Sequence, residues 1–197
     1  LEQGIQPDQI TKVLLTHLHK DHAGGVCHHS RAGIRELAFP SARYYLQKQE
    51  FMTAMSQRSA SYEQERLACL SAHPAVVFLE GDGSIDSYIR YQLTGAHSPF
   101  HQVFWITERG RTLFFGGDEA PQLQQMKSRY IAKYDFDGRK SMELRQQWWV
   151  RCLGNPPAGR SSPHGCPRRS RWTGPSSGSW PCAGGRHRGP RCSSPSG

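Results

Sequence analysis

Three histidines and an aspartate fall within six consecutive positions in the segment Thr16-His17-Leu18-His19-Lys20-Asp21-His22-Ala23-Gly24-Gly25. No other stretch limits the possible folds as strongly. A divalent metal is held by neutral imidazoles or carboxylates converging on one point. The preceding run, Ile10-Thr11-Lys12-Val13-Leu14-Leu15-Thr16, is short and aliphatic and reads as a buried strand. At the end of a strand, His17 and His19 can leave on the same side, because strand side chains alternate. Asp21 and His22 follow where the chain turns toward a helix, within reach of a second metal. Gly24-Gly25 lets the backbone make that turn closely. At ordinary residue frequencies such a grouping arises at a given place with odds on the order of one in a million. A metal site is the expectation, and a solvated polar loop is set aside.

Further along, Ala42–Leu46 and Ala75–Leu79 are strand candidates, with a helix expected from Gln47 to about Ser59 between them. Ser61-Tyr62-Glu63-Gln64 has the form of a capping box, after which Leu67 and Leu70 share a helical face. Ile89–Leu93 alternates like a half-buried strand, and Val103–Thr107 and Thr112–Phe115 flank a hairpin turn at Glu108-Arg109-Gly110-Arg111. Asp82 and Asp86 read as turn residues, and Gly81-x-Gly83 is too short a pattern to suggest phosphate binding. Ser141–Trp149 is expected to be helical. Without strict strand–helix alternation, the fold class expected is α/β (α+β), sheets with helices on their outer faces.

Two later segments, Thr94-Gly95-Ala96-His97-Ser98-Pro99-Phe100-His101 and Thr112-Leu113-Phe114-Phe115-Gly116-Gly117-Asp118, join the first in an ordered set. In order and spacing the three resemble the motifs of the metallo-β-lactamase superfamily, over roughly Ile10 to Trp149. The resemblance implies an αββα sandwich with metals at the shared edge of two sheets. It also implies that His17, His19 and His97 form a first metal site, that Asp21 and His22 contribute to a second, and that Asp118 bridges. His101 matches a supporting position. Pro99 and the lack of a Glu after His97 exclude a helical H-E-x-x-H site there. His28 and His29 read as solvated, and Cys27 as a small buried apolar residue.

Charge divides the chain. Residues 1–150 hold 17 Lys+Arg and all 16 acidic residues, a formal +1, whereas residues 151–197 add eight Arg and no Asp, Glu or Lys. The domain division expected is therefore a partial metallo-β-lactamase-like domain over 1–150 and a tail over 151–197. The tail contains nine Gly, nine Ser and eight Pro, too little apolar surface to offset the entropy of ordering, so it is expected to be disordered. An Arg-rich tail admits an RNA-binding reading, weakened by the absence of any regular motif. The near-neutral body argues against a nucleic-acid partner. No apolar run is long enough to span a bilayer. The cysteines lack Cys-x-x-Cys spacing and have no secretory context, so free thiols and a cytoplasmic location are expected.

Two features depart from the resemblance. The family's further second-site histidine would follow Trp148-Trp149, where this chain offers only His164 and His187 in the tail. An out-of-frame or artefactual join near Val150 would account for this, and translating the other two frames tests it. About nine residues precede the first strand, fewer than the family places there, so a truncated N-terminus and a poorly folded or weakly active polypeptide are expected. The function expected is hydrolysis of an ester, lactone, thioester or amide in a small-molecule substrate by metal-activated hydroxide. Zn2+ is the metal expected, two per intact domain, with Fe or Mn as alternatives, and Asp21 would orient the water. Activity should fall as pH drops through the histidine range. The alternatives are a catalytically impaired remnant, a mononuclear iron dioxygenase and a phosphodiester nuclease of the same fold.

Overall fold

A computed structural model describes residues 4–57, 59–127 and 129–153. Strand β1 (Lys12–Leu14) leads through helix α1 (Lys20–Ala23) and a hairpin of β2 (Cys27–His29) and β3 (Arg35–Leu37) to β4 (Arg43–Gln47). Helices α2 (Lys48–Ser56) and α3 (Gln64–Leu67) then lead to β5 (Val76–Leu79). β1, β4 and β5 form a parallel sheet in the order β1-β4-β5, with Val13 opposite Tyr44 and Tyr45 opposite Val77. Parallel strands are covered on both faces, and β4 is buried from Tyr44 through Gln47. Ala54, Leu67 and Leu70 belong to the same buried cluster as Tyr44, Leu46 and Leu18.

The second half is antiparallel. β6 (Gly83–Ser84), β7 (Ile89–Leu93), β8 (Gln102–Glu108) and β9 (Arg111–Phe115) pair in sequence order. The β8–β9 turn carries Arg109 and Gly110 at φ 49° and 72°, the double left-handed geometry of a tight hairpin. Asp82 and Asp86 serve turns, their carboxylates accepting from the amides of Leu93 (2.8 Å) and Ile89 (3.2 Å). Helix α4 (Leu123–Lys127) and helix α5 (Gly138–Leu153) follow. Trp148 of α5 stacks on Phe114, ring centroids 4.9 Å apart, and Phe114 on Trp105 at 4.3 Å. Helices thus cover each sheet. The sheets meet where the Gln102 amide donates to the Thr16 carbonyl (2.9 Å).

Several expectations need correcting. The capping box does not form: α3 starts after Glu63 without a side-chain cap, because the Gln64 side chain instead donates to the Met55 and Gln57 carbonyls (2.9 and 3.2 Å) and the Ser61 amide to Ser59 Oγ (3.2 Å). The β2–β3 hairpin was not expected, since Cys27-His28-His29 carries little strand propensity. Pairing with Arg35–Leu37 holds it, and His28 and His29 are exposed there. Helix α5 runs to Leu153, past the division expected at residue 150. The proposed tail from residue 154 on, with His164 and His187, lies outside the described residues.

Cys27 and Cys69 are not free thiols but a disulfide, their Cα atoms 6.0 Å apart, within bridging range. The bond closes a 42-residue separation and ties β2 to the 3-10 turn Ala68–Leu70. A cross-link of that span stabilises by about 4 kcal/mol through the unfolded chain. Replacing Cys69 with alanine is therefore expected to lower the urea midpoint under non-reducing conditions by a comparable free energy. An unchanged midpoint would show that the bridge contributes nothing.

Candidate metal centre

The first histidines stand at the carboxyl end of the parallel sheet. Beyond β1 the chain stays extended because the Leu15 amide donates to the Tyr45 carbonyl (3.0 Å) and Thr16 pairs with Gln102. This carries His17 inward, where it is only 1% exposed. Its Nδ1 lies 3.0 Å from Thr16 Oγ1, and its buried Nε2 has no protein partner. A buried polar atom without a partner is costly, and a metal ion would satisfy it. The turn out of α1 needs Gly24, its C-cap, since a Cβ there would sit 2.3 Å from the Lys20 carbonyl oxygen.

The second segment closes into a loop as the Thr94 and Gly95 amides both donate to the His101 carbonyl (2.8 and 3.0 Å). This aims His97 Nε2 at His19 Nδ1 (3.2 Å) and at Asp118 Oδ2 (3.4 Å). The other oxygen of Asp118, Oδ1, lies 3.1 Å from His22 Nε2. Asp118 therefore presents one oxygen to each histidine group. It follows Gly117, at φ +53°, where a Cβ would fall 2.7 Å from His101 Nε2 and 2.8 Å from Thr16 Oγ1. Ligand atoms of His17, His19 and His97 lie within 4.8 Å of one another, as do those of His17, His22 and Asp118.

Burial, reinforced by neighbouring imidazoles, holds His17 and His101 well below the usual histidine range, and it pushes His19 down to about 4. These rings are neutral at physiological pH, the state a metal ligand requires. Burial raises Asp118, but the His22 bond and nearby imidazoles outweigh it and keep the carboxylate ionised. The same bond raises His22. An unfolded histidine takes up a proton near 6.5 and folded His19 only near 4, so acid favours the unfolded chain. Metal-free protein is expected to be fully stable above that upper value. By the lower one it should lose on the order of 2 kcal/mol from His19, discounted for partial exposure. His17 and His101 act in the same sense and His22 in the opposite one. Urea melts of chelator-treated protein at pH 7.5 and 5 would check this; equal or greater stability in acid would contradict it.

Five of the six expected ligands, His17, His19, His22, His97 and Asp118, are gathered. Asp21 is not. In the first turn of α1 its side chain is 73% exposed, 3.6 Å from His22 Nε2 and outside both ligand groups. His101 is fully buried, its Nδ1 near Thr94 Oγ1 (3.2 Å) and Glu119 Oε1 (3.4 Å), a supporting place.

The sequence reading missed the polar frame behind these ligands. Glu119 accepts from Thr94 Oγ1 (2.8 Å) and from the Ala96 and His97 amides (2.8 and 3.0 Å). Asp135 Oδ1 lies 2.9 Å from His97 Nδ1 and fixes that ring. Arg145 donates to the Glu119 carbonyl (2.8 Å), Ser141 Oγ (2.7 Å) and the Tyr130 carbonyl. Glu50 and Gln47 underlie the first segment. The available signal was polar residues in otherwise apolar runs, such as Gln102 before Val103-Phe104-Trp105.

Comparison with known proteins agrees with this geometry. The chain is 28% identical over 103 residues to N-acyl homoserine lactonase of Bacillus thuringiensis, covering 52% of this chain and 35% of the relative. A probable metal-dependent hydrolase from Staphylococcus aureus superposes with TM-score 0.63 at 20% identity, over 78% of this chain and 55% of that one. AidC, a dizinc quorum-quenching lactonase bound to an N-acyl homoserine product, superposes with TM-score 0.62 at 20% identity, over 78% and 57%. The chain thus spans about a third of the length of the curated relatives it matches. The model of the metallo-β-lactamase superfamily matches residues 1–147, and with the three histidine and aspartate segments folded onto one sheet edge, the chain belongs to that family.

Proposed function

We propose that this chain is the metal-binding part of a hydrolase that opens a lactone, or a related ester, thioester or amide, in a small-molecule substrate. The observation that carries the reading is Asp118, with one carboxylate oxygen toward His97 and the other toward His22. His17, His19 and His97 would hold a first zinc, and Asp118 would bridge to a second beside His22. A divalent metal there supplies Lewis acidity and an activated water. His17 and His19 offer neutral nitrogens, and Asp135 orients His97. Asp21, at the exposed rim, would reach the second ion or accept a proton from the attacking water only after a side-chain rotation. Because His17 Nδ1 is engaged by Thr16, its Nε2 can serve only one ion. The second site is accordingly the weaker, and low turnover is expected.

The lactonase relative and the dizinc neighbour support a carbonyl substrate and zinc. The near-neutral body argues against a phosphodiester. Incubation of the zinc-loaded chain with an N-acyl homoserine lactone, a thioester, an amide and an aryl phosphodiester tests the reading. Chelator-sensitive lactone opening is expected, and faster phosphodiester cleavage would overturn it.

The exposed Asp21 also favours a one-ion site and with it a mononuclear iron dioxygenase; elemental mass spectrometry separates iron from zinc. The division proposed, a domain over 1–150 and a tail over 151–197, puts the boundary within the last turn of α5. Among the described residues no helix is long and apolar enough to cross a membrane. A cytoplasmic location belongs to the reading too, and the Cys27–Cys69 bond opposes it, since disulfides are rare there. Thiol labelling of protein from intact cells decides that point.

A further inference from the structure

We propose that Glu50, a residue outside all three ligand segments, is the positioning residue that sets the first two of them at metal-binding distance. The proposal rests on the reading that His17, His19 and His97 hold a metal. Glu50 lies in the first turn of α2, directly after β4, and is 1% exposed. Four donors converge on its two oxygens. Oε1 accepts from the Leu18 amide (3.1 Å) and from Tyr62 Oη (3.1 Å). Oε2 accepts from Ser98 Oγ (3.0 Å), and the Phe100 amide also donates to the carboxylate.

Leu18 is the residue between His17 and His19, while Ser98 and Phe100 immediately follow His97. One carboxylate thus joins the backbone that carries two ligands to the loop that carries the third. Tyr62 extends the grip, because its ring packs on His19 with centroids 5.0 Å apart. A second clamp runs parallel. Gln47 Nε2 donates to Gln102 Oε1 (2.9 Å), whose own amide nitrogen donates to the Leu15 carbonyl (2.7 Å). The β4–α2 junction therefore reaches both motifs through side chains one helical turn apart.

Four donors suit an ionised carboxylate, which only accepts. Glutamine has nearly the same shape but turns one oxygen into an NH2 group. Placed at Oε1, that group meets the Leu18 N–H, which cannot accept; placed at Oε2, it takes away the acceptor of Ser98 Oγ and obliges that hydroxyl to turn. Glu50→Gln should therefore disturb the relation between the segments without opening a cavity. The test is zinc affinity by competition with a chromogenic chelator, beside the melting temperature of the metal-free chain. Outer partners of metal ligands typically contribute 10- to 100-fold in affinity. A loss of about that size is expected in Glu50→Gln, together with a smaller zinc-induced rise in melting temperature than in the unaltered chain. Folded Glu50→Gln protein that binds zinc within about twofold of the unaltered chain would overturn the proposal.

If Glu50→Gln does not fold, Tyr62→Phe takes its place, removing one donor while keeping the ring against His19. A several-fold weaker zinc affinity is expected there, and unchanged affinity would overturn the proposal. His19→Ala keeps the two readings apart. An unaltered chain that binds no zinc defeats the metal site itself. Zinc lost in His19→Ala but kept in Glu50→Gln defeats only the role given to Glu50.

Discussion

His17→Ala is expected to lower zinc affinity by about three orders of magnitude or more, equivalent to some 4 kcal/mol, and to abolish turnover. His17 is the one residue common to both ligand groups, and its unpartnered Nε2 is buried between them. Alanine would remove that nitrogen from either arrangement, whereas His22→Ala would touch only the second group. The comparison is therefore informative: the first variant should lose all tightly held zinc, the second only the weaker fraction. Equal behaviour of the two would show that His17 is packing and not a ligand. The fold itself should tolerate His17→Ala at neutral pH, because the imidazole is neutral there and the Thr16–Gln102 backbone bond does not depend on it.

The second large effect is on stability. Arg145 is 1% exposed and spans three partners on separate segments: the Glu119 carbonyl, Ser141 and the Tyr130 carbonyl. Burial lowers its pKa, while the charges of Asp135 and Glu119 work to raise it. Removing the cation would leave the buried Glu119 and Tyr130 carbonyls without their donor and take a positive charge from beside Asp135 and Glu119. Breaking such an arrangement from one side costs about 3–5 kcal/mol. Arg145→Ala should lower the urea midpoint accordingly, and zinc affinity should weaken with it because Asp135 orients His97. Lysine should not restore the loss, since one ammonium cannot reproduce a planar fork reaching carbonyls on two sides. A midpoint shift under about 1 kcal/mol, or full rescue by lysine, would contradict this account.

Much of this was legible in the chain, and the reason is local. His17 and His19 follow a strand at two-residue spacing, which already determines their direction, and His22 comes next in α1, so one short segment announces its chemistry. Val103–Thr107 and Thr112–Phe115 likewise carry their own turn in Arg109-Gly110. The parts that stayed hidden are made by contacts distant in sequence. Glu50 looks like an ordinary polar position on a helix and acquires meaning only from Leu18 and Ser98, 32 and 48 residues away. Asp135 meets His97 across 38 residues. Cys27 was read as a lone thiol because nothing near it suggested Cys69. Asp21 stands apart from the gathered ligands for the opposite reason. Its motif position suggested convergence, but the first turn of a four-residue helix points it toward solvent.

The most direct test is native mass spectrometry of the full chain titrated with zinc, alongside His97→Ala. One tightly held zinc ion per chain is predicted, with a second binding more weakly, and the tight ion should be lost in the variant. A chain that takes up no zinc, or a His97→Ala chain that keeps it at undiminished affinity, would contradict the convergence of three distant segments on a metal.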